Sequence, residues 1–209
     1  MLTVHHLSNS RSQKILWLLE ELDTPYDLKL YMRDENLSAP QDMKALHPLG
    51  TSPLITDQGE TFAETGAIID YILRHYGQGK LQPAADTLAY DRFMEWMHYA
   101  EGSGMFPLLL EIFCKMSDDD TRQLTQIARM QAAKHLGYIE SALAGTDYLV
   151  DNRFTAADIH VSFVGETAGQ LMSLADYPNI RGWVARLHDR PAFERAEQKG
   201  GYFGAATPP

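Results

Sequence analysis

The sequence predicts a small α/β domain over residues 1–77, a linker at 78–84 and an all-α domain over 85–209. Three observations carry that division. Up to Tyr76, apolar runs of strand length alternate with stripes of helical spacing; beyond Ala85 only helical stripes occur. Between them, Gly77-Gln78-Gly79-Lys80-Leu81-Gln82-Pro83 has the composition of a loop. A chain of 209 residues is also long enough to build two small cores.

The first domain reads in order as βαβ, a connecting stretch, then ββα. Leu2 to Leu7 is a short strand, and Ser8-Asn9-Ser10-Arg11-Ser12 is a polar turn. Ile15, Leu18, Leu19 and Leu22 recur at the i, i+3, i+4, i+7 spacing of one helix face. Tyr26, Leu28 and Leu30 alternate with Asp27 and Lys29, the pattern of a half-buried strand. Leu37 to Leu46 is polar, with Pro40 and one helical turn. Pro53 stands at the mouth of the apolar run Leu54-Ile55, and proline lacks the N–H that a strand interior must donate. It therefore belongs at the first residue of a strand or on an edge. Asp57-Gln58-Gly59-Glu60 turns the chain into Thr61-Phe62-Ala63 as a hairpin partner. A last helix carries Ile69, Ile72, Leu73 and Tyr76 on one face.

In the second domain, Tyr90 to Cys114 reads as a long helix with Phe93, Trp96, Met97 and Ala100 buried. Gly102-Ser103-Gly104 and Pro107 should bend or interrupt it. Thr121 to Leu143 repeats the pattern through Leu124, Ile127, Ala128, Gln131, His135 and Tyr138. Phe154-Thr155-Ala156-Ala157-Asp158-Ile159 has the form of a capping box with a hydrophobic staple. Thr155 is the cap, Asp158 reaches back to it and Phe154 packs on Ile159. Asp158 is thus expected to be structural and not a catalytic acid. Pro178 opens a helix with Ile180, Trp183, Val184 and Leu187 as its stripe, and Pro191 opens a short final helix. The tail from Gly200 to Pro209 is expected to be loosely held.

Composition narrows the function. Net charge is −10, and neither half is basic, which excludes a nucleic-acid footprint. No apolar run approaches the ~20 residues of a membrane span, and the N-terminus lacks a basic-then-apolar leader. The expectation is a cytoplasmic protein without a membrane partner. The single cysteine, Cys114, excludes an internal disulfide and a thiolate metal cluster. Beside Phe113 in a long helix it reads as a buried apolar residue, and no metal is expected.

Two segments carry binding chemistry. A proline at Pro53 leaves the backbone of Ser52 free to pair with something other than the protein. Glu64 and Thr65 stand just before a helix, where side-chain oxygens and unpaired amides can receive a ligand's charged end. An extended ligand with amides in its middle and charges at its end would fit both. Each element also has a structural reading, since Ser-Pro is commonly a turn and Thr65 an ordinary cap.

Ser10-Arg11-Ser12, Thr51-Ser52-Pro53-Leu54, Glu64-Thr65-Gly66-Ala67-Ile68 and Phe154 to Ile159, in this order across essentially the whole chain, resemble the cytosolic glutathione S-transferases. Ser8 to Leu22 is especially similar to bacterial and fungal members with Ser-Arg-Ser after the first strand. The resemblance implies a thioredoxin-like N-terminal domain, with a cis-proline at Pro53, and an all-α helical C-terminal domain. It implies glutathione as co-substrate and no other cofactor, with Thr51, Ser52, Pro53, Glu64 and Thr65 holding it. It also implies detoxification in the cytoplasm and a homodimer in which the helices from Thr65 and Tyr90 meet their partners. Against the negative background, Arg11, Lys14 and Lys44 are the cations placed to help an anionic tripeptide.

Members that form mixed disulfides with glutathione carry a Cys in the turn after the first strand, and Ser8-Asn9-Ser10-Arg11-Ser12 has none. What remains is activation of the bound thiol as a thiolate. The helix starting near Arg11 points its positive end at the site, worth roughly 0.3–2 kcal/mol. A hydrogen bond from Ser10 or Asn9 adds about 1.5–3 kcal/mol. Together they lower a thiol near ~8.5 by about one to three units. Ser10 is the first choice and Asn9 the second, while helix capping is the structural alternative for Ser8, Ser10 and Ser12. His5 and His6, on opposite faces of the first strand, are read as structural. Tyr99, Met105 and Phe106 are expected to line an apolar seat for the second substrate, a hydrophobic electrophile, between the domains. Transferase activity is the leading reading. A glutathione-dependent isomerase, lyase or peroxidase, and a non-catalytic binding or regulatory protein, are the alternatives. Intact Ser52, Glu64 and Thr65 argue against the last.

Overall fold

A computed structural model describes residues 1–201; of the tail, residues 202–209 lie outside the described residues. The chain forms two units. One joins Met1–Leu81 with the segment from His188 onward; the other is Gln82–Leu187.

In the first unit, β1 (Thr3–Leu7), α1 (Ser12–Glu21), β2 (Asp27–Tyr31), α2 (Gln41–Lys44), β3 (Leu54–Asp57), β4 (Glu60–Phe62) and α3 (Thr65–Tyr76) follow the expected order. The 4-stranded sheet runs β2-β1-β3-β4. β1 pairs parallel with β2 and antiparallel with β3, which pairs antiparallel with β4. This is the expected α/β, thioredoxin-like arrangement. β2 departs from its expected alternation. Leu28 is half-buried, but Leu30 is 61% exposed. An edge strand has a neighbour on one side only, so its far end lacks the cover that would bury Leu30.

The α1 stripe of Ile15, Leu18, Leu19 and Leu22 is buried, as expected, and so are Leu16 and Trp17 outside it. A second helix covers that other face. It is α9 (Pro191–Gly200), which packs along α1. Trp17 meets Phe193 edge to face at 5.0 Å. Arg190 forks onto Glu21 at 2.6 and 2.9 Å. Arg195 Nε donates to Glu20 at 3.0 Å, and Lys199 also donates to Glu20. Burial pushes the Glu20 carboxyl up, but the hydrogen bonds from Lys199, Tyr26 and Arg195 outweigh it and hold the pKa below its ordinary value. Residues 85–209 therefore do not act as one unit to their end, because the last helix completes the core of the first unit. The expected boundary stops short of this since apolar spacing within α9 does not say which core it joins.

The second unit is helical: α4 (Leu88–Tyr99), a π-type turn at Ala100–Gly104, α5 (Phe106–Met116), α6 (Arg122–Ala142), α7 (Ala156–Leu171) and α8 (Pro178–His188), whose last residue opens the returning segment. The long helix is interrupted at the glycines, as expected. A Cβ on Gly104 would lie 2.9 Å from the Tyr99 ring and 3.1 Å from Val164, so only glycine lets this turn approach α7. In α6 the buried residues are Ala128, Ala132, Leu136 and Ile139, while Leu124, Ile127 and Tyr138 are exposed. Of the expected stripe Ala128 is buried, and the rest of the buried face lies about one residue further along. Two alanines set the contact face against α5, and larger apolar groups are left outside. Cys114 is buried, as read from the sequence.

The Thr155 cap forms as expected. Asp158 Oδ2 accepts from Thr155 N at 2.9 Å, and Oδ1 accepts from Leu149 N at 3.0 Å and Trp183 Nε1 at 3.1 Å. Burial pushes this carboxyl up against those donors, which pull it down. With its acceptor sites filled by the protein, Asp158 ties a loop and α8 to the start of α7.

Candidate active site

Sheet topology gathers the candidate residues of the first unit at one end. β1 and β2 are parallel, so the turn after Leu7 and the loop after Tyr31 leave the sheet side by side. β3 is antiparallel with His5 opposite Leu54, which puts Pro53 and Ser52 just beyond the last paired residue at that same end. β4 reverses once more and delivers Glu64 and the start of α3 there too. Loops at the carboxyl end of such strands are where open α/β sheets bind ligands.

Ser10 is central to this end. Its Oγ lies 2.9 Å from Ser52 Oγ and 2.7 Å from Ser12 Oγ, and it accepts from Ser12 N at 3.2 Å. The cap position of α1 is Arg11, with no side-chain cap bond, so the Ser10 hydroxyl supports the entry to the helix from one residue earlier. Ser12 is fully buried and its Oγ lies 2.9 Å from His6 Nδ1. His6 Nε2 is 2.8 Å from the Gly200 carbonyl. Burial pushes the His6 imidazole pKa down, with the Gly200 carbonyl opposing it. Asn9 holds the turn at φ +50°, the left-handed region that asparagine tolerates. Ser8 Oγ is buried without a hydrogen-bond partner.

The cation that braces the turn is Arg33, a residue the sequence reading passed over. Its Nε donates to the Ser8 carbonyl at 3.1 Å, Nη2 to the Asn9 carbonyl at 3.0 Å and Nη1 to the Leu37 carbonyl at 2.6 Å. Burial, and then the nearby Arg11 charge, push its pKa down. The signal was available: a cation just after β2 must lie beside the turn after β1 once the two strands are parallel. Of the three cations named from sequence, Arg11 sits at the turn, Lys14 is buried, and the Lys44 stem lies against Gly50.

The Ser52–Pro53 peptide is cis, as the resemblance implied. Thr51 is exposed and Ser52 half-buried beside it. Glu64 caps α3 with φ +70° and ψ 116°, a backbone state that a residue with a Cβ adopts at a cost of about 1–3 kcal/mol. Its side chain is exposed and makes no cap bond, while Thr65 is buried. The strain therefore serves no local capping, and the Glu64 side chain stays exposed at this end of the sheet.

His5 is structural. Its ring lies 3.1 Å from Tyr31 OH and 2.9 Å from Thr56 Oγ1, linking three strands across one sheet face. In the second unit, the three residues named for an apolar seat have separate roles. Met105 is 2% exposed and belongs to the core. Tyr99 OH donates to the His135 carbonyl at 3.1 Å and is half-buried. Phe106 is 63% exposed and offers its ring to solvent.

Known proteins agree with this arrangement. The family described as glutathione S-transferase, N-terminal domain, matches residues 4–80, and the glutathione S-transferase, C-terminal domain, matches 105–191. Glutathione S-transferase 3 of Schizosaccharomyces pombe is 32% identical over 95% of this chain and 88% of its own length. Glutathione S-transferase 1 of Saccharomyces cerevisiae is 30% identical over 98% and 97%. Among solved structures, a glutathione S-transferase from Actinobacillus pleuropneumoniae superposes with a TM-score of 0.90 at 32% identity, covering 99% of this chain and 97% of that one. A glutathione transferase from Phanerochaete chrysosporium, solved with oxidized glutathione, reaches 0.83 at 18% identity over 94% and 93%. On these matches and this fold, the chain belongs to the glutathione S-transferase family and is an enzyme of the transferase class.

Proposed function

We propose that the site at the end of the sheet binds glutathione and presents its thiol as a thiolate to a hydrophobic electrophile. The observation that carries this reading is the meeting of Ser10 and Ser52, 2.9 Å apart, with Glu64 held in a strained conformation at the same sheet end. The unpaired backbone at Ser52 takes the cysteinyl amides. Glu64 and Thr65 take the γ-glutamyl end, with Thr51 beside them. The thiol then falls at the turn, where Ser10, Asn9 and the amides at the start of α1 stabilise negative charge on sulfur. Of the three residues named for an apolar second substrate, Phe106 is the one exposed to solvent.

Calorimetry tests the binding site. Replacing Glu64 and Thr65 together by alanine should weaken glutathione by several kcal/mol, since each charge-assisted bond is worth roughly 1.5–3 kcal/mol. An unchanged dissociation constant would sink the assignment. A turnover screen with an aryl halide, hydroperoxides and a cis-dienoic acid separates conjugation from peroxidase and isomerase activity on the same site.

We also propose a cytoplasmic homodimer engaged in detoxification, its two-fold contact made by α3 and α4. No helix among the described residues is long and apolar enough to cross a membrane. Light scattering at micromolar concentration should give twice the chain mass; a particle of 23.5 kDa would refute the dimer.

A further inference from the structure

His6, Ser12, Ser10 and Ser52 form one unbroken hydrogen-bonded row with steps of 2.9, 2.7 and 2.9 Å. Its inner end has a fixed polarity. The Gly200 carbonyl can only accept, so the Nε2 facing it at 2.8 Å carries a hydrogen. In the neutral ring Nδ1 is then bare, and it accepts from Ser12 Oγ. Ser12 has a single hydroxyl hydrogen, so its oxygen accepts from Ser10. Ser10 in turn accepts from Ser52 and from the Ser12 amide at 3.2 Å. The three hydroxyl hydrogens all point toward the imidazole. The competing acceptor for Ser12, the Leu7 carbonyl, is farther away at 3.4 Å. In this state Ser10 has no hydrogen to offer a ligand. A proton on Nδ1 reverses the row: Nδ1 donates to Ser12, Ser12 to Ser10, and the Ser10 hydrogen turns outward.

We propose that His6 is a positioning residue that takes up the thiol proton of bound glutathione through Ser10 and Ser12. The proposal rests on the reading that the glutathione sulfur lies at Ser10. The thiol S–H bond breaks and its proton passes to Ser10 Oγ, the Ser10 hydrogen passes to Ser12 Oγ, and the Ser12 hydrogen forms the new Nδ1–H bond. The electron pair of the S–H bond stays on sulfur. The products are a thiolate and an imidazolium, and Ser10 now donates its hydroxyl to the sulfur that it has just relieved of a proton.

Burial opposes that buried charge and holds the net pKa of His6 below its ordinary value. Two features act the other way: the Gly200 carbonyl at the C-terminus of α9, where a helix dipole favours a cation, and the thiolate at the far end of the row. Among the described residues, Ser12 and Gly200 are the imidazole's hydrogen-bond partners, and no charged side chain pairs with it. A Cβ on Gly200 would collide with Leu16, Gln13 and the His6 ring, so glycine is what lets this carbonyl reach Nε2.

The test counts protons on the wild-type protein. Glutathione is bound at pH 7 in buffers of different ionisation enthalpy, with the ultraviolet thiolate band followed in the same complex. S-methylglutathione, which has no thiol proton, supplies the background. The expected result is a thiolate band with close to zero net protons released to buffer. Nitrogen-15 NMR should show His6 protonated on both nitrogens in the glutathione complex, and on Nε2 alone in the free protein and with S-methylglutathione.

The His6→Asn variant keeps an oxygen for Ser12 but cannot hold the proton, and loss of its signal assigns the histidine resonance. In it, thiolate formation should release about one proton per site. Its kcat should fall by about 10²-fold, with KM for glutathione within about twofold. A wild-type thiolate accompanied by about one released proton overturns the relay, as does a bound complex with no thiolate band or with a neutral His6. Failure of glutathione to bind at all overturns instead the reading on which the relay rests. Should His6→Asn fail to fold, the wild-type proton count and spectrum decide alone.

Discussion

On the proposed reading Ser10 and Glu64 act on glutathione at the scale of single residues, and each can be changed with a distinct outcome. Ser10→Ala interrupts the row between Ser52 and Ser12, and on the proposed reading it leaves the Ser52 and Glu64 contacts to glutathione in place. Turnover should fall by roughly ten- to a hundred-fold with little change in binding, as expected for about 1.5–3 kcal/mol lost from the thiolate. Ultraviolet titration of the bound thiol should show its pKa rising by about one to two units. A shift in Asn9→Ala and none in Ser10→Ala would hand the role to Asn9. Glu64→Gly separates stability from binding. Glycine occupies φ +70° without the clash of a Cβ, so urea unfolding should show a gain of about 1 kcal/mol. Glutathione affinity should drop at least about tenfold, because the carboxylate is gone. Ser10, Ser52, Glu64 and Thr65 could be picked out from sequence because residue type and spacing mark a strand opened by proline and a helix start, and the sheet register brings them to one end. Arg33 could have been read from the parallel order of β1 and β2; the contact of His6 with Gly200 could not, since it exists only once α9 has returned to α1.

At the scale of elements, the β3–β4 hairpin is tied to α3 through Asp57. Its Oδ2 accepts from Tyr71 OH at 3.0 Å and from Tyr76 OH, and its Oδ1 from Gln58 N at 3.1 Å. Burial pushes the Asp57 carboxyl up, but the bonds from Tyr76, Tyr71 and Gln58 bring the net pKa below its ordinary value. The stability it contributes is present above the unfolded carboxyl pKa and is lost as pH falls through the folded one. Tyr76 works at the opposite end of the scale. Its hydrogen bond to Asp57, then burial, push the phenol from 10.0 up to about 12. An acid with a raised folded pKa contributes fully below its unfolded value and loses that contribution as pH rises through the folded one, here between 10.0 and about 12. Urea midpoints measured across that window should decline, and Tyr76→Phe should flatten the decline while lowering stability at pH 7 by about 1.5–3 kcal/mol. The hairpin and α3 could be placed from sequence because turn residues and a clear stripe bound them. The face of α6 was read correctly only at Ala128, because Ala132 looks less apolar than Leu124 and Ile127 yet is buried where they are exposed.

For the whole molecule, the informative feature is that the first unit is built from both ends of the chain. The Arg190–Glu21 fork and the edge-to-face contact of Trp17 with Phe193 anchor α9 to α1, burying Leu16 beside them. Deleting the chain from Asp189 onward should expose that surface and leave Glu20 and Glu21 without Arg195, Lys199 and Arg190. Unfolding of the first unit should shift to much lower urea and lose cooperativity, with calorimetry showing two separate transitions. Coincident transitions at the wild-type midpoint would show that α9 is dispensable.

That closure imposes an order on biosynthesis. A ribosome adding about 5–20 residues per second takes roughly 6–24 s to travel from Leu81 to Gly200. Throughout that interval the nascent first unit has its strands but not its last helix, and Leu16 and Trp17 lack their cover. A chaperone that shields apolar segments has its natural target there. Because Gly200 also orients His6, that contact forms only after the chain has been made through α9.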